Sequence, residues 1–510
     1  MIISLFSFNL PAQVTPERLQ QFIATNQYKD LNYPAQVTAF YSQLNFRTAW
    51  IQQNDIHNCN VFFNDLKLSR GLALNEKDYH FSLVESFRNH AVYLPGTDDS
   101  LDAEIRLTDA AIHFYTDIAY GNIKPVLGYN GLDYTPACKD IAALLASHIA
   151  QHSLQSFIAD VSPALPEIAA MQAKLQWLNA VTDESNFKES LVSSNKVNSS
   201  NQPLLLKLYH LGIADTAERI MPDTLVRKNV QEAQRQFNLL DDGTLRSTIL
   251  KELNVPLSVR VQQLIFSINY FRWLYCILQD QSVIVVNIPA TCMKVYQDNN
   301  TVLEMRMIVG KTTTPTPTLL SKVDEVILYP YWHVPFSIAT KELLPIIKRN
   351  PAYLDAGNYQ VLNSAGKVID PYTINWHRLS TKYFPYIIRQ GTGCDNSLGV
   401  LKLNFYSPFG VYLHDTQVRS MFKLGKRFFS HGCMRMEKPI ELGHLLLKDN
   451  HVAIDTLEEK GCLLNQAPVI VHADVHMPVV VWYNPAGMDS TGRVIFYEDI
   501  YEKFSWMKKK

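Results

Sequence analysis

The sequence predicts a multidomain α+β protein: a helical N-terminal domain and a small helical module, followed by a mainly-β domain with a long insertion. Three observations predict it. At 510 residues the chain exceeds what one hydrophobic core ordinarily serves, so several domains are expected. Apolar residues recur at helical intervals through the first half. From Ser282 the spacing changes to short β-branched runs bounded by turn residues.

Taken in order, residues 1–14 are apolar and end in small residues around Pro11 and Ala12. They read as a secretory signal whose basic start is missing, or as a buried N-terminal segment. Thr15 and Pro16 open a helix as cap and first-turn proline. Leu101, Ile105, Leu107, Ala110, Ile112, Phe114, Tyr115 and Ile118 keep helical spacing up to Gly121. Residues 15–200 thus form a helical packing domain, closed by a polar, aperiodic linker at 193–201. Residues 201–255 form a compact unit. An amphipathic helix over 225–237 runs to the turn Asp241-Asp242-Gly243, and another helix covers 248–254. Residues 259–278 are helical, with the aromatics around Tyr270 and Trp273 read as core.

The β part, within residues 256–510, starts with the run 282–288 and continues as strand, turn and strand across 293–309. Another strand with an aromatic end covers 326–335. Short strands at these intervals predict a β-sandwich or twisted sheet pair. Residues 336–382 interrupt the sheet with a helix over 340–349, broken by Pro345, and with Tyr353, Tyr359, Tyr372 and Trp376. An insertion that long is functional or ordered as a subdomain. Sheet resumes at 383–390, 399–406 and 410–414. An amphipathic helix at 439–447 and strands at 469–471, 479–483 and 492–497 complete the chain.

The bulk numbers exclude some functions. Net charge is −1, so no basic field points to nucleic acid. No apolar run approaches the roughly 20 residues of a transmembrane segment. Seven cysteines (59, 138, 276, 292, 394, 433 and 462) are scattered without a CxxC pair. That argues against a disulfide framework or a zinc ribbon, and the odd count leaves at least one cysteine unpaired. Apart from Cys433, they read as small buried apolar residues.

The chemistry concentrates in Ser430-His431-Gly432-Cys433-Met434-Arg435 and, upstream, Tyr412-Leu413-His414-Asp415-Thr416. A cysteine becomes a useful nucleophile when a base lies within hydrogen-bond reach. His414, at a strand end, is the candidate base, and His431 a supporting residue. Backbone N–H groups of Gly432 and Cys433 are candidates for an oxyanion hole. Asp415, Ser430 or a backbone carbonyl could orient His414. Arg435 could bind a substrate carboxylate or brace the loop. A zinc site from His414, His431 and Cys433 lacks a fourth ligand at recognisable spacing, so no metal or other cofactor is expected.

Fifteen residues separate His414 from Ser430, and this His-x(15)-Ser-His-Gly-Cys-x-Arg pattern resembles the signature of the L,D-transpeptidases. The stretches GTGCDNSLG (391–399) and VLKLNFYSP (400–408) are similar to the strands before that signature. Residues around Ala39, Trp50 and Gly71 resemble the scaffold of the large Gram-negative members. Residues 201–255 resemble a peptidoglycan-binding three-helix module that lacks the usual second glycine after the DG turn. A degenerate packing module and a working glycan binder are both open for it. The resemblance implies a periplasmic enzyme, which favours reading residues 1–14 as a signal whose start is lost or misannotated, and a capping subdomain at 336–382. It implies Cys433 as nucleophile and His414 as base, 3→3 cross-linking of peptidoglycan tetrapeptide stems, and acylation by carbapenems. Water or a lipoprotein lysine as acceptor would make the same site an L,D-carboxypeptidase or an anchoring enzyme. A non-catalytic wall-binding protein is the reading from another class.

Overall fold

The structure is a computed structural model that describes residues 14–25, 30–52, 55–88, 97–132, 138–217, 221–279 and 281–509. Of the expected leader, only Val14 lies within the described residues.

The helical half is built on α1 (Thr97–Tyr120), which has Asp98 and Asp99 in its first turn, where carboxylates favour a helix start. Leu101, Ile105, Leu107, Ile112, Phe114, Tyr115 and Ile118 are all buried, as their spacing predicts. Helices Pro34–Gln43, Ile56–Lys67 and Ile141–Ala150 share its core. A second core joins α2 (Pro166–Asp183), α3 (Leu257–Leu278) and the small module. α3 is buried on nearly every side because scaffold, module and sheet all pack on it.

The module has helices Gln202–His210, Asp223–Gln236 and Ser247–Leu253. Its DG turn is clamped by Gln234. Nε2 donates to Asp242 Oδ1 (2.9 Å) and to the Thr244 carbonyl (3.0 Å), and Oε1 accepts from the Gly243 N–H (2.8 Å). Gly243 sits at φ +70°, a conformation that costs a side-chain-bearing residue free energy.

The β domain is a closed circuit. Its strands are β1 (Val283–Asn287), β2 (Cys292–Gln297), β3 (Asn300–Gly310), β4 (Leu319–Leu328), β5 (Leu401–Phe405), β6 (Leu413–His414), β7 (Phe428–Ser430), β8 (Met434–Met436), β9 (Val469–His472) and β10 (Pro478–Trp482). Pairing runs β4-β5-β6-β8-β3-β2-β1-β10 and returns from β10 to β4. The expected sheet pair is therefore joined at both edges. The first half of β4 pairs with β10 and its second half with β5. β3 likewise passes from β2 to β8. Both strands are long enough to serve two sheets.

The insertion is larger than expected. A separate four-stranded sheet orders Trp332–His333, Ile387–Gln390, Tyr359–Leu362 and Val368–Ile369. So the segment 383–390 belongs to the cap and not to the main sheet. The predicted strand 326–335 divides, with Tyr329, at φ +51°, between the part in the main sheet and the part in the cap. Pro345 does not break the helix. It falls in the first turn of Leu344–Arg349, after a π turn at Ala339–Leu343, where a missing N–H is tolerated. The cap has its own core, including Leu343, Ile347, Val361, Trp376 and Ile388.

The cysteine reading is corrected. Cys138 bonds to Cys276 on α3, and Cys394 to Cys462, with Cα separations of 5.4 Å and 5.1 Å. These pairs are 138 and 68 residues apart in sequence, so local spacing carried no trace of them. Cys59, Cys292 and Cys433 are free.

Candidate active site

Register assembles the site. Lys402 of β5 pairs with His414 of β6, and His414 with Arg435 of β8, so three basic residues stand abreast. The alternate positions Leu403, Leu413 and Met434 are fully buried, which sends the basic row to the opposite face. One further step of the same parallel register sets Cys433 beside Tyr412. The Met434 N–H donates to the Tyr412 carbonyl (3.1 Å) at that join.

His414 is 4% exposed, and its Nδ1 lies 2.6 Å from the Asp415 carbonyl oxygen. A carbonyl only accepts, so Nδ1 carries the proton and Nε2 the lone pair. Of the possible orienting groups, the backbone carbonyl of Asp415 fills the place. Burial pushes the His414 pKa down to about 3, and the Arg435 and Lys402 charges add to this. Burial raises the Cys433 thiol, while hydrogen bonding from the Tyr412 backbone N–H and phenol, and the charges of Lys402 and Arg435, draw it back. These shifts favour a neutral thiol and a neutral imidazole at rest, rather than a preformed ion pair.

Two cations near the sulfur are unpaired. Lys402 Nζ sits 4.3 Å over the Tyr412 ring. Arg435 meets Met421 Sδ at 3.9 Å, and its buried Nε has no partner. Among the described residues neither makes an ion pair with a carboxylate. Such a pair can stabilise a developing thiolate or receive an incoming carboxylate.

The loop before Cys433 is internally braced. Ser430 Oγ donates to the Cys433 carbonyl (2.5 Å) and accepts from the Gly432 N–H (3.2 Å). The Gly432 carbonyl accepts from Thr316 Oγ1 (2.8 Å), and the Ser430 carbonyl from the Lys311 N–H (3.0 Å). Gly432 lies at φ +116°, which favours glycine. Of the two amides expected to face an oxyanion, that of Gly432 is already engaged by Ser430.

The other predicted residues separate from the sulfur. His431 is exposed, with Nε2 2.7 Å from Glu342 Oε1 of the cap and 3.4 Å from Lys311 Nζ. The Asp415 carboxylate accepts from the Val400 N–H (2.9 Å) and pairs with Arg419 (2.8 Å). A Cβ at Gly399 would lie 2.2 Å from that carboxylate, so Asp415 fixes the glycine turn ahead of β5. Sequence reasoning missed Lys402, and it quoted Tyr412 without a role. A lysine alternating with core leucines reads as a solvated strand face, and only register reveals its neighbours.

The family description of the L,D-transpeptidase catalytic domain matches residues 281–469, and that of a scaffold domain matches 35–175. A candidate L,D-transpeptidase of Haemophilus influenzae is 35% identical over 218 residues, which is 43% of this chain. The match spans 44% of that relative's length. Among solved structures, an L,D-transpeptidase from Mycobacterium smegmatis is 14% identical, with 39% of this chain and 58% of that one covered and a TM-score of 0.18. One from Stackebrandtia nassauensis is 12% identical, with 58% and 98% covered and a TM-score of 0.22. The site residues from Lys402 to Arg435 all fall inside the matched catalytic range. The chain carries an L,D-transpeptidase catalytic domain at residues 281–469, preceded by a scaffold domain at 35–175.

Proposed function

We propose that the protein forms 3→3 peptidoglycan cross-links through a cysteine thioester on tetrapeptide stems. The observation that carries this reading is the committed tautomer of His414, with Nδ1–H held by the Asp415 carbonyl and Nε2 left free to accept. Cys433 Sγ attacks the carbonyl of the L-centre of the diamino acid, and its proton passes to His414 Nε2. That proton goes to the departing D-alanine nitrogen as the C–N bond breaks and the thioester forms. The side-chain amine of a second stem then attacks the thioester, gives its proton to His414, and releases Cys433. No cofactor enters the scheme.

Tyr412 and Lys402 hold the charge of the departing thiolate. Arg435, without a carboxylate of its own, takes one from the stem. Ser430 and Gly432 shape the loop, and His431 ties it to the cap. The unit boundaries 15–200, 201–255 and 256–510 stand as our division of the chain, with the cap widened to 332–390. We assign the protein to the periplasm, because two disulfides need an oxidising compartment. No helix among the described residues is long and apolar enough to cross a membrane.

Incubation with a carbapenem, followed by intact-mass mapping, should give one adduct, on Cys433, that is absent in Cys433→Ala. Tetrapeptide and pentapeptide muropeptides offered separately complete the test. Dimers from tetrapeptides alone are expected. Tripeptide alone would mean an L,D-carboxypeptidase, transfer to a lipoprotein lysine would mean an anchoring enzyme, and use of pentapeptides alone would overturn the substrate.

A further inference from the structure

A cleft of about 630 Å³ lies away from the cysteine, where the small module meets the catalytic domain. Its floor is the outward face of the β2–β3 hairpin, where Cys292 pairs with Arg306 and Lys294 with Glu304. One wall is the end of the module helix, at Arg235, Asn238 and Leu239. The opposite wall is the segment that leads into and out of the signature loop, at Arg427, Glu437 and Lys438. A second cleft of about 360 Å³ shares Lys294, Glu304, Met488 and Asp489 with it and ends at Glu167 of α2. The two form one track across module, catalytic domain and scaffold.

The charges along this track are of two kinds. Arg235 and Arg493 are clamped by Glu232, Asp241 and Asp489, and so rivet module to hairpin. Lys294 is 3.6 Å from Glu167. Arg427 and Lys438, in contrast, make no ion pair among the described residues, and Arg306 reaches Glu437 only at 4.0 Å. Arg427 is 8% exposed, and its guanidinium donates to the carbonyls of Met307, Leu424 and Thr291. Glu437 on the same wall is the carboxylate that acts on it, without a direct ion pair among the described residues, so an anion can still gain from this buried cation.

We propose that this track binds a peptidoglycan peptide stem through its carboxylates, at Arg306, Arg427 and Lys438, apart from the stem that reaches Cys433. The inference rests on the reading of the chain as a peptidoglycan enzyme. A stem is narrow, extended and multiply carboxylated, which suits a groove with polar walls and spaced cations. Arg427 lies three residues before Ser430, and its carbonyl accepts from Val309 of β3 (2.9 Å), so a bound stem would bear on the strand that braces the signature loop.

Hydrogen exchange on the full chain carrying Cys433→Ala tests this with a purified disaccharide-tetrapeptide as probe. Exchange should slow at residues 235–239 and 292–306, separately from any slowing at 412–414. Adding Arg306→Gln and Lys438→Gln together should weaken the cleft's affinity about a hundredfold, about tenfold for each lost charged hydrogen bond. A probe with its carboxylates converted to amides should bind as weakly as the acid binds the double variant. No slowing at 235–239 and 292–306, or equal slowing by the amidated probe, would overturn the proposal. Failure of the enzymatic reading would show separately, as absence of a Cys433 adduct.

Discussion

The scaffold core and the catalytic face both bury charged side chains, and they treat them in opposite ways. Glu104, fully buried on α1, accepts from the backbone N–H groups of Ala49 (2.5 Å), Trp50 (3.2 Å) and Ile51 (3.1 Å) and from the Tyr41 hydroxyl (3.0 Å). Asp109 accepts in the same way from the N–H groups of Asn32 (3.1 Å) and Tyr33 (2.8 Å). Each carboxylate pins an irregular segment to the helix. Arg435 and Lys402 on the catalytic face are half-buried and, among the described residues, have no such carboxylate. A group whose hydrogen bonds are saturated fixes one structure, because any loosening strands several partners. An unsaturated one keeps the capacity to bind something that the fold does not contain.

The largest expected effect would break this contrast on the catalytic side. His414→Ala should lower the rate of Cys433 acylation about a thousandfold, as loss of a general base does, and His431→Ala only about tenfold. Single-turnover mass spectrometry reads both rates, and the reverse order would reassign the base.

On the scaffold side, Glu104→Ala should cost about 3 kcal/mol of stability, because three N–H groups lose their acceptor. Arg435→Met should change stability by less than about 1 kcal/mol, since no ion pair is broken, while raising KM for stems. The pH slopes should also oppose each other. Burial raises Glu104 to about 7, so the folded state holds a proton that the unfolded chain has lost, and stability falls as pH rises from about 4.3 to 7. His414 is depressed to about 3, so stability falls as pH drops from about 6.5 toward 3. Glu104→Gln and His414→Gln should each flatten their own limb in denaturant titrations. A flattened limb of the other sign would show that burial is misassigned.

A smaller effect should follow Lys402→Met. The rate of Cys433 alkylation by iodoacetamide should move to higher pH, because a cation that favours the thiolate is gone, and Lys402→Arg should restore part of it. An unchanged profile would leave Lys402 as a packing residue. The smallest is Glu342→Gln. Loss of an exposed ion pair to His431 should speed hydrogen exchange in the cap by a few-fold, consistent with its roughly 0–1 kcal/mol worth, with little change in acylation. A large fall in acylation would instead make the cap contact part of the chemistry.

The sequence by itself determined the order of helical and β parts, the helical spacing of α1, the change to strands near residue 282, and the spacing of a cysteine motif from an upstream histidine. These are local, since side-chain periodicity and turn residues act over a few positions. Tertiary structure alone decided what depends on partners distant in the chain. It brought Lys402 abreast of His414 and Arg435 through strand register, joined Cys138 to Cys276 and Cys394 to Cys462, and placed Ile387–Gln390 in the cap sheet. It also turned His431 toward Glu342 and spent the Gly432 amide on Ser430. Alternation says which face a residue occupies, but not which strand lies beside it. That is set when β3 and β4 bend from one sheet to the other and close the circuit.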